Sequence, residues 1–144
     1  MTSAPKVAKA LVDLIARQPA FRTRQVVIAH PGQLAETELV TVLGIRATEA
    51  FRSLGKGHKR EEMVVELGLV AEVAADDPQD CLDRAWLMFS DLEDVIAANP
   101  TLGLSKVIYA HITQWDQRSF VGDGKRIVEI TVDVTVTANK DLEV

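Results

Sequence analysis

Apolar residues return every three or four positions between residues 4 and 17. Val7, Leu11, Leu14 and Ile15 form one stripe with Ala10 beside it, while Lys6, Lys9, Asp13 and Arg17 fall opposite. That spacing predicts a helix lying on a core. Ser3 is placed to cap it, and Pro5 is tolerated in a first turn.

The period then changes to two. Residues 25–28 (QVVI) form a short β-branched run that ends at the turn signal His30-Pro31-Gly32. Residues 38–47 predict a second strand, with Leu39, Thr41, Leu43 and Ile45 alternating against Val40, Val42 and Gly44. Residues 60–74 predict a long third strand. Met63, Val65, Leu67, Leu69, Ala71 and Val73 mark one face, and Glu62, Glu66 and Glu72 the other. Gly68 in its middle is expected to mark a bulge or a bend.

Asp77-Pro78 restores the helical period. Asp77 suits the N-cap, Pro78 the first helical position, and Asp80 the first turn at the positive end of the dipole. The helix predicted over 78–98 has Leu82, Ala85, Phe89, Leu92 and Ile96 on one side, with Trp86 on the flank. Asp80, Asp83, Arg84, Asp91 and Asp94 form its solvated side, and Asn99-Pro100 stops it. Residues 105–117 and 125–138 predict two more strands, joined by a hairpin loop over 118–124. In the last strand Val128, Ile130, Val132, Val134 and Val136 face one way. Glu129, Thr131, Asp133, Thr135 and Thr137 face the other, toward water or a partner.

The order is α-β-β-β-α-β-β. It predicts an α+β fold: a mainly antiparallel five-stranded sheet with two amphipathic helices packed on one face. The 144 residues fit one domain, 1–144. The net charge of −5 argues against a protein with a basic global field made for nucleic acid, though it leaves room for a local basic patch. One cysteine excludes an internal disulfide framework and a cysteine-based zinc site. No apolar run reaches the length of a membrane span, and Lys9 and Asp13 interrupt any signal-peptide core. Synthesis in a reducing cytoplasm is the expectation.

Candidate chemistry narrows the picture further. Arg52, Lys56, His58, Lys59 and Arg60 surround two glycines with no acid among them. A phosphate cradle needs such glycines at a helix N-terminus, and here they precede a strand. The alternatives are a solvated hairpin tip, a tip that touches DNA or an acidic neighbouring subunit, and a nucleotide-binding module. His30, His58 and His111 have no metal-ligand spacing, and the carboxylates follow helix and strand surfaces. Cys81 has no histidine placed to activate it and reads as packing. No motif supports an enzyme, and no cofactor is expected. Trp86 is expected in the core. Trp115 belongs to the core or, with Phe120, to a surface aromatic cluster at a subunit contact. Arg118, Lys125 and Arg126 flank the same hairpin and are further contact candidates for a subunit or DNA.

Five pieces in a fixed order carry a resemblance over nearly the whole chain. They are the helix ALVDLIA, the strand and turn QVVIAHPG, and the stretch RSLGKGHKREEMVVELGLVAEV. A helix ending DLEDVIAANPTLG and the hairpin WDQRSFVGDGKRIVEITVDVTVTA complete the series. In these pieces the chain resembles tail terminator (tail completion) proteins of long-tailed bacteriophages, particularly versions from phages of actinobacteria. The resemblance implies a virion structural protein: a homo-hexameric ring that caps the tail tube, stops its polymerisation and faces the head-tail connector or head completion protein. It implies DNA passing through the lumen without sequence specificity, and no catalytic residues. A head completion protein or a tail tube subunit is the alternative within the same class.

Overall fold

The computed structural model describes residues 3–28, 37–50, 58–74 and 76–141; at 48–50, 58–59 and 140–141 only the backbone is described. Helix α1 spans Ala4–Arg17 and is followed by a single 3-10 turn, Pro19–Phe21. Strands β1 (Gln25–Val27), β2 (Glu38–Ala50) and β3 (His58–Ala74) precede helix α2 (Pro78–Ala98). Strands β4 (Val107–Gly122) and β5 (Lys125–Asp141) complete the chain.

The five strands form one sheet in the order β1-β2-β3-β5-β4. β1 runs parallel to β2, and the other three pairings are antiparallel. The sheet is therefore mixed, mainly antiparallel with one parallel edge pair. β3 and β5 pair along their whole length, from His58 opposite Asp141 to Ala74 opposite Lys125.

One face of the sheet carries the helices. Met63, Val65, Leu67, Leu69 and Ala71 of β3 and Val128, Ile130, Val132, Val134 and Val136 of β5 are all buried there. α2 lies over β3 and β5, and α1 over β1 and β2. Val7, Leu11 and Ile15 of α1 and Ala85, Met88 and Leu92 of α2 are at most 1% exposed. Burying ten strand side chains and two helix stripes in one layer is the main stabilising term of the fold.

Asp77 caps α2 as its position predicts, its carboxylate accepting from the Asp80 N–H at 3.1 Å. Ser3 occupies the N-cap position of α1, but its side chain does not cap the helix. It turns instead to Glu61. β2 is longer than its apolar pattern, continuing to Ala50, while β1 stops at Val27.

Gly68 is neither a bulge nor a bend. It pairs in regular register with Thr41 and Thr131, and the irregularity lies on the neighbouring strand, between Val42 and Gly44. The extra residue there is Leu43. Its side chain lies across Gly68, 3.2 Å from where a Cβ would stand. The glycine makes room for a bulge that belongs to β2.

The loop expected over residues 118–124 is a two-residue turn. Asp123 and Gly124 both have positive φ, 52° and 71°. That is the backbone of a type I′ hairpin, whose twist matches the strands it joins. Arg118, Ser119, Phe120 and Val121 are consequently strand residues of β4.

Candidate interaction surface

The face of the sheet opposite the helices is polar. Glu66, Glu72, Glu129, Thr131, Asp133 and Thr135 point from it, all half-buried, and Asp116 and Arg118 stand exposed at its β4 edge. Arg46 of β2 reaches Glu66 at 3.2 Å and Asp133 at 3.4 Å, bridging three strands. Lys125 reaches Glu72 at 2.8 Å. That hydrogen bond, with the charge behind it, raises the Lys125 pKa above its ordinary value. Thr113 and Thr135 share a hydroxyl contact of 2.8 Å. Leu43, Arg46, Glu66, Asp116, Arg118 and Asp133 line a shallow open groove of about 410 Å³. Among the described residues no three His, Cys, Asp or Glu side chains group to hold a metal ion.

The candidate contact residues do not converge. Arg52 and Lys56 lie outside the described residues, and His58 and Lys59 are described by their backbone alone, as the first two residues of β3. Arg60 is exposed, with its backbone paired to Ala50 and Asn139. Lys125 and Arg126 stand at the far end of the sheet, against Ala74 and Val73. Arg60 and Lys125, which pairs with Ala74, are separated along β3 by about 46 Å at the usual rise of about 3.3 Å per residue. Arg126 also differs from a free contact residue. It is half-buried on the helix side, with no hydrogen-bond partner for its Nε among the described residues.

Trp115 and Phe120, expected as one aromatic cluster, occupy opposite faces. Trp115 pairs with Val132 on the helix side and Phe120 with Ile127 on the open side. Trp115 stacks edge-on against Trp86 at 5.1 Å and Phe89 at 6.2 Å, yet stays 52% exposed. It thus serves both readings, completing an aromatic group while presenting one side to solvent. Trp86 donates from Nε1 to Gln117 at 2.9 Å, tying α2 to β4. Register shifts at Ile108 and Thr113 also break the alternation of β4. Val107 and Trp115 face the helices, whereas Tyr109, His111 and Thr113 face the open side, so these five do not share the one face that simple alternation predicts.

Two charged groups lie in the interior. Arg24, just before β1, is nearly enclosed between Glu38 at 2.9 Å and Asp91 at 2.6 Å, and its guanidinium lies 4.9 Å from the Phe21 ring centre. Asp91 is therefore not a solvated helix residue. Glu61 is 1% exposed, and period two does place it in phase with Met63 on the buried face. Asp80 and Arg84 pair at 2.8 Å, as their i, i+4 spacing predicts. Cys81 is fully buried and donates from Sγ toward the carbonyls of Ala71 and Arg126.

No protein-family model matches the chain, and no curated protein matches it by sequence. The fold does have a solved counterpart. A chain in the virion of a native gene transfer agent particle superposes with a TM-score of 0.68 and 10% sequence identity. The match covers 95% of this chain and 98% of that one. The fold is shared over the whole length of both.

Proposed function

We propose that this chain is a structural component of a phage-like virion, and within it a tail terminator. It forms a homo-hexameric ring on the end of the tail tube, halts tube polymerisation and presents its other surface to the head-tail connector. The observation that carries this reading is the end-to-end fold match to a virion chain, with no insertion or missing piece large enough to mark a different domain plan. The order of sequence pieces that resembles tail terminators supports the finer role.

A ring needs heterologous contacts that close by rotation. This chain offers chemically different surfaces at its two ends. One carries Arg60; the other carries the β4–β5 turn with Lys125, Arg118 and Phe120. DNA passes the lumen without sequence readout, and acidic groups facing it would ease sliding by repelling phosphate.

Negative-stain imaging of the protein mixed with tail tubes tests the proposal. Rings of six at tube ends, with tube growth arrested, are expected. Incorporation along the tube would make the chain a tube subunit. Binding only to connectors would make it a head completion protein. A chain that ignores both overturns the reading.

A further inference from the structure

The sheet ends on one side in β4, sixteen residues long; among the described residues no strand pairs with its outer edge, although the Pro100 carbonyl accepts from the Ala110 N–H at 2.7 Å in its first half. Natural edge strands are blunted by bulges, lysines or prolines. The first half of β4 has such protection, with register shifts at Ile108 and Thr113. The second half, Gln114–Gly122 (QWDQRSFVG), pairs with β5 in unbroken register and holds no lysine or proline, its charges being one of each sign, Asp116 and Arg118. It also exposes Trp115, Phe120 and Val121, each about half accessible. A regularly paired strand with an open outer edge and exposed aromatic side chains is a template for another strand.

We propose that in the free protein this edge is closed by the same edge of a second copy, paired antiparallel about a two-fold axis at Gln117. The charges choose the register. Asp116 and Arg118 project from the open face, with side chains 64% and 73% exposed and only a loose 3.7 Å contact between them. Centring the pair on Asp116 or on Arg118 sets like charges directly opposite each other. Centring on Gln117 sets Asp116 opposite the second copy's Arg118, twice, and this favours the pairing. The same register keeps both helix layers on one side of a continuous sheet. It sets Trp115 against the small Ser119 of the second copy, covering the exposed side of the ring. An isologous contact closes on itself, so it stops at two copies. It thereby keeps the free chain out of head-to-tail assembly until the edge is released. The inference concerns the free chain and holds whether or not the chain forms rings.

Light scattering on the purified full-length protein over a range of concentrations reads the state. A mass twice the 15.8 kDa of the chain is expected. Arg118→Asp and Asp116→Arg should each weaken pairing at least tenfold, and the double exchange should restore it. Circular dichroism verifies that all four proteins are folded. Gln117→Cys should give a disulfide-linked dimer on mild oxidation, whereas Ser119→Cys should not, and the buried Cys81 stays out of reach. A single-chain mass at every concentration overturns the proposal. So does an assembly that all three charge variants leave unchanged, or a double exchange that fails to restore pairing.

Discussion

Ser3 donates both its backbone N–H, at 3.0 Å, and its hydroxyl, at 2.6 Å, to Oε1 of Glu61. The carboxylate thus sits at the N-terminus of α1, where the helix dipole is positive and backbone donors need acceptors. It joins α1 to β3 across 58 residues of sequence. Glu61→Ala is expected to cost about 1.5–3 kcal/mol, the range for hydrogen bonds to a charged group. Ser3→Ala should cost less, because the backbone donor survives. Urea denaturation measures both, and a Glu61→Ala loss below about 0.5 kcal/mol would mean that α1 does not depend on this contact.

Arg24 holds together three elements that the apolar pattern alone leaves independent: the turn before β1, the start of β2 and the middle of α2. Its side chain is 5% exposed. Arg24→Ala leaves Glu38 and Asp91 facing each other without the cation, and such a broken buried pair costs about 3–5 kcal/mol. The double variant Arg24→Ala/Glu38→Ala should be more stable than the sum of the two single losses predicts. Strict additivity in that cycle would show that the pair does not interact.

The contrast between these two groups explains how much of the fold was legible. The strand and helix faces were readable because burial repeats with period two or 3.6, and Met63–Ala71 or Val128–Val136 display it many times over. Glu61 falls on the buried phase of β3, but an acid carries no apolar signal, so the buried face was legible only from Met63 onward. Arg24 had no pattern to betray it: its partners lie 14 and 67 residues away. The β4 bulges were invisible for a related reason, since a bulge is a relation between two strands and β4 shows it only beside β5. Arg60 and Lys125 divide between the two ends of the sheet, because sequence distance says nothing about separation along paired antiparallel strands.

Burial pushes the Cys81 thiol above its ordinary value, outweighing the backbone hydrogen bonds of Val128 and Val73 and the Arg126 charge that favour the thiolate. The folded state therefore prefers the neutral thiol. Its contribution to stability is complete below the ordinary thiol pKa and is lost as the pH rises through the folded value. Stability should fall above about pH 9 more steeply in the native protein than in Cys81→Ala. In the native state at pH 8 a disulfide reagent such as DTNB should label Cys81 no faster than global unfolding permits. Rapid labelling would mean that the α2–sheet interface opens locally.

At the β4–β5 turn the backbone requires left-handed conformations at both central positions. Gly124 accepts φ of 71° without strain, while a Cβ there costs about 1 kcal/mol, although space around it is open. Gly124→Ala should therefore lower stability by about that amount, and Asp123→Asn should be nearly neutral because asparagine suits the same region. Thermal unfolding distinguishes the two. Equal losses would indicate that side-chain contacts, rather than backbone conformation, hold the turn.

The basic run that leads into the start of β3 separates an assembly role from a folding role. Arg60 lies in β3 with its backbone paired on both sides, yet its side chain is exposed, and an exposed side chain contributes little core energy. Replacing Lys56, Lys59 and Arg60 together with alanine should change unfolding free energy by less than about 0.5 kcal/mol for each position. By comparison, Leu92→Ala, at a fully buried position, should cost about 2–4 kcal/mol. The triple variant should instead lose binding to tail tubes or to neighbouring copies, as seen by negative stain. The wild-type contact should weaken with added salt, since exposed charges are screened within about 10 Å at 0.1 M. A triple variant that unfolds as readily as Leu92→Ala would make the run part of the fold. One that folds and docks normally, with wild-type salt dependence, would remove it from the interface.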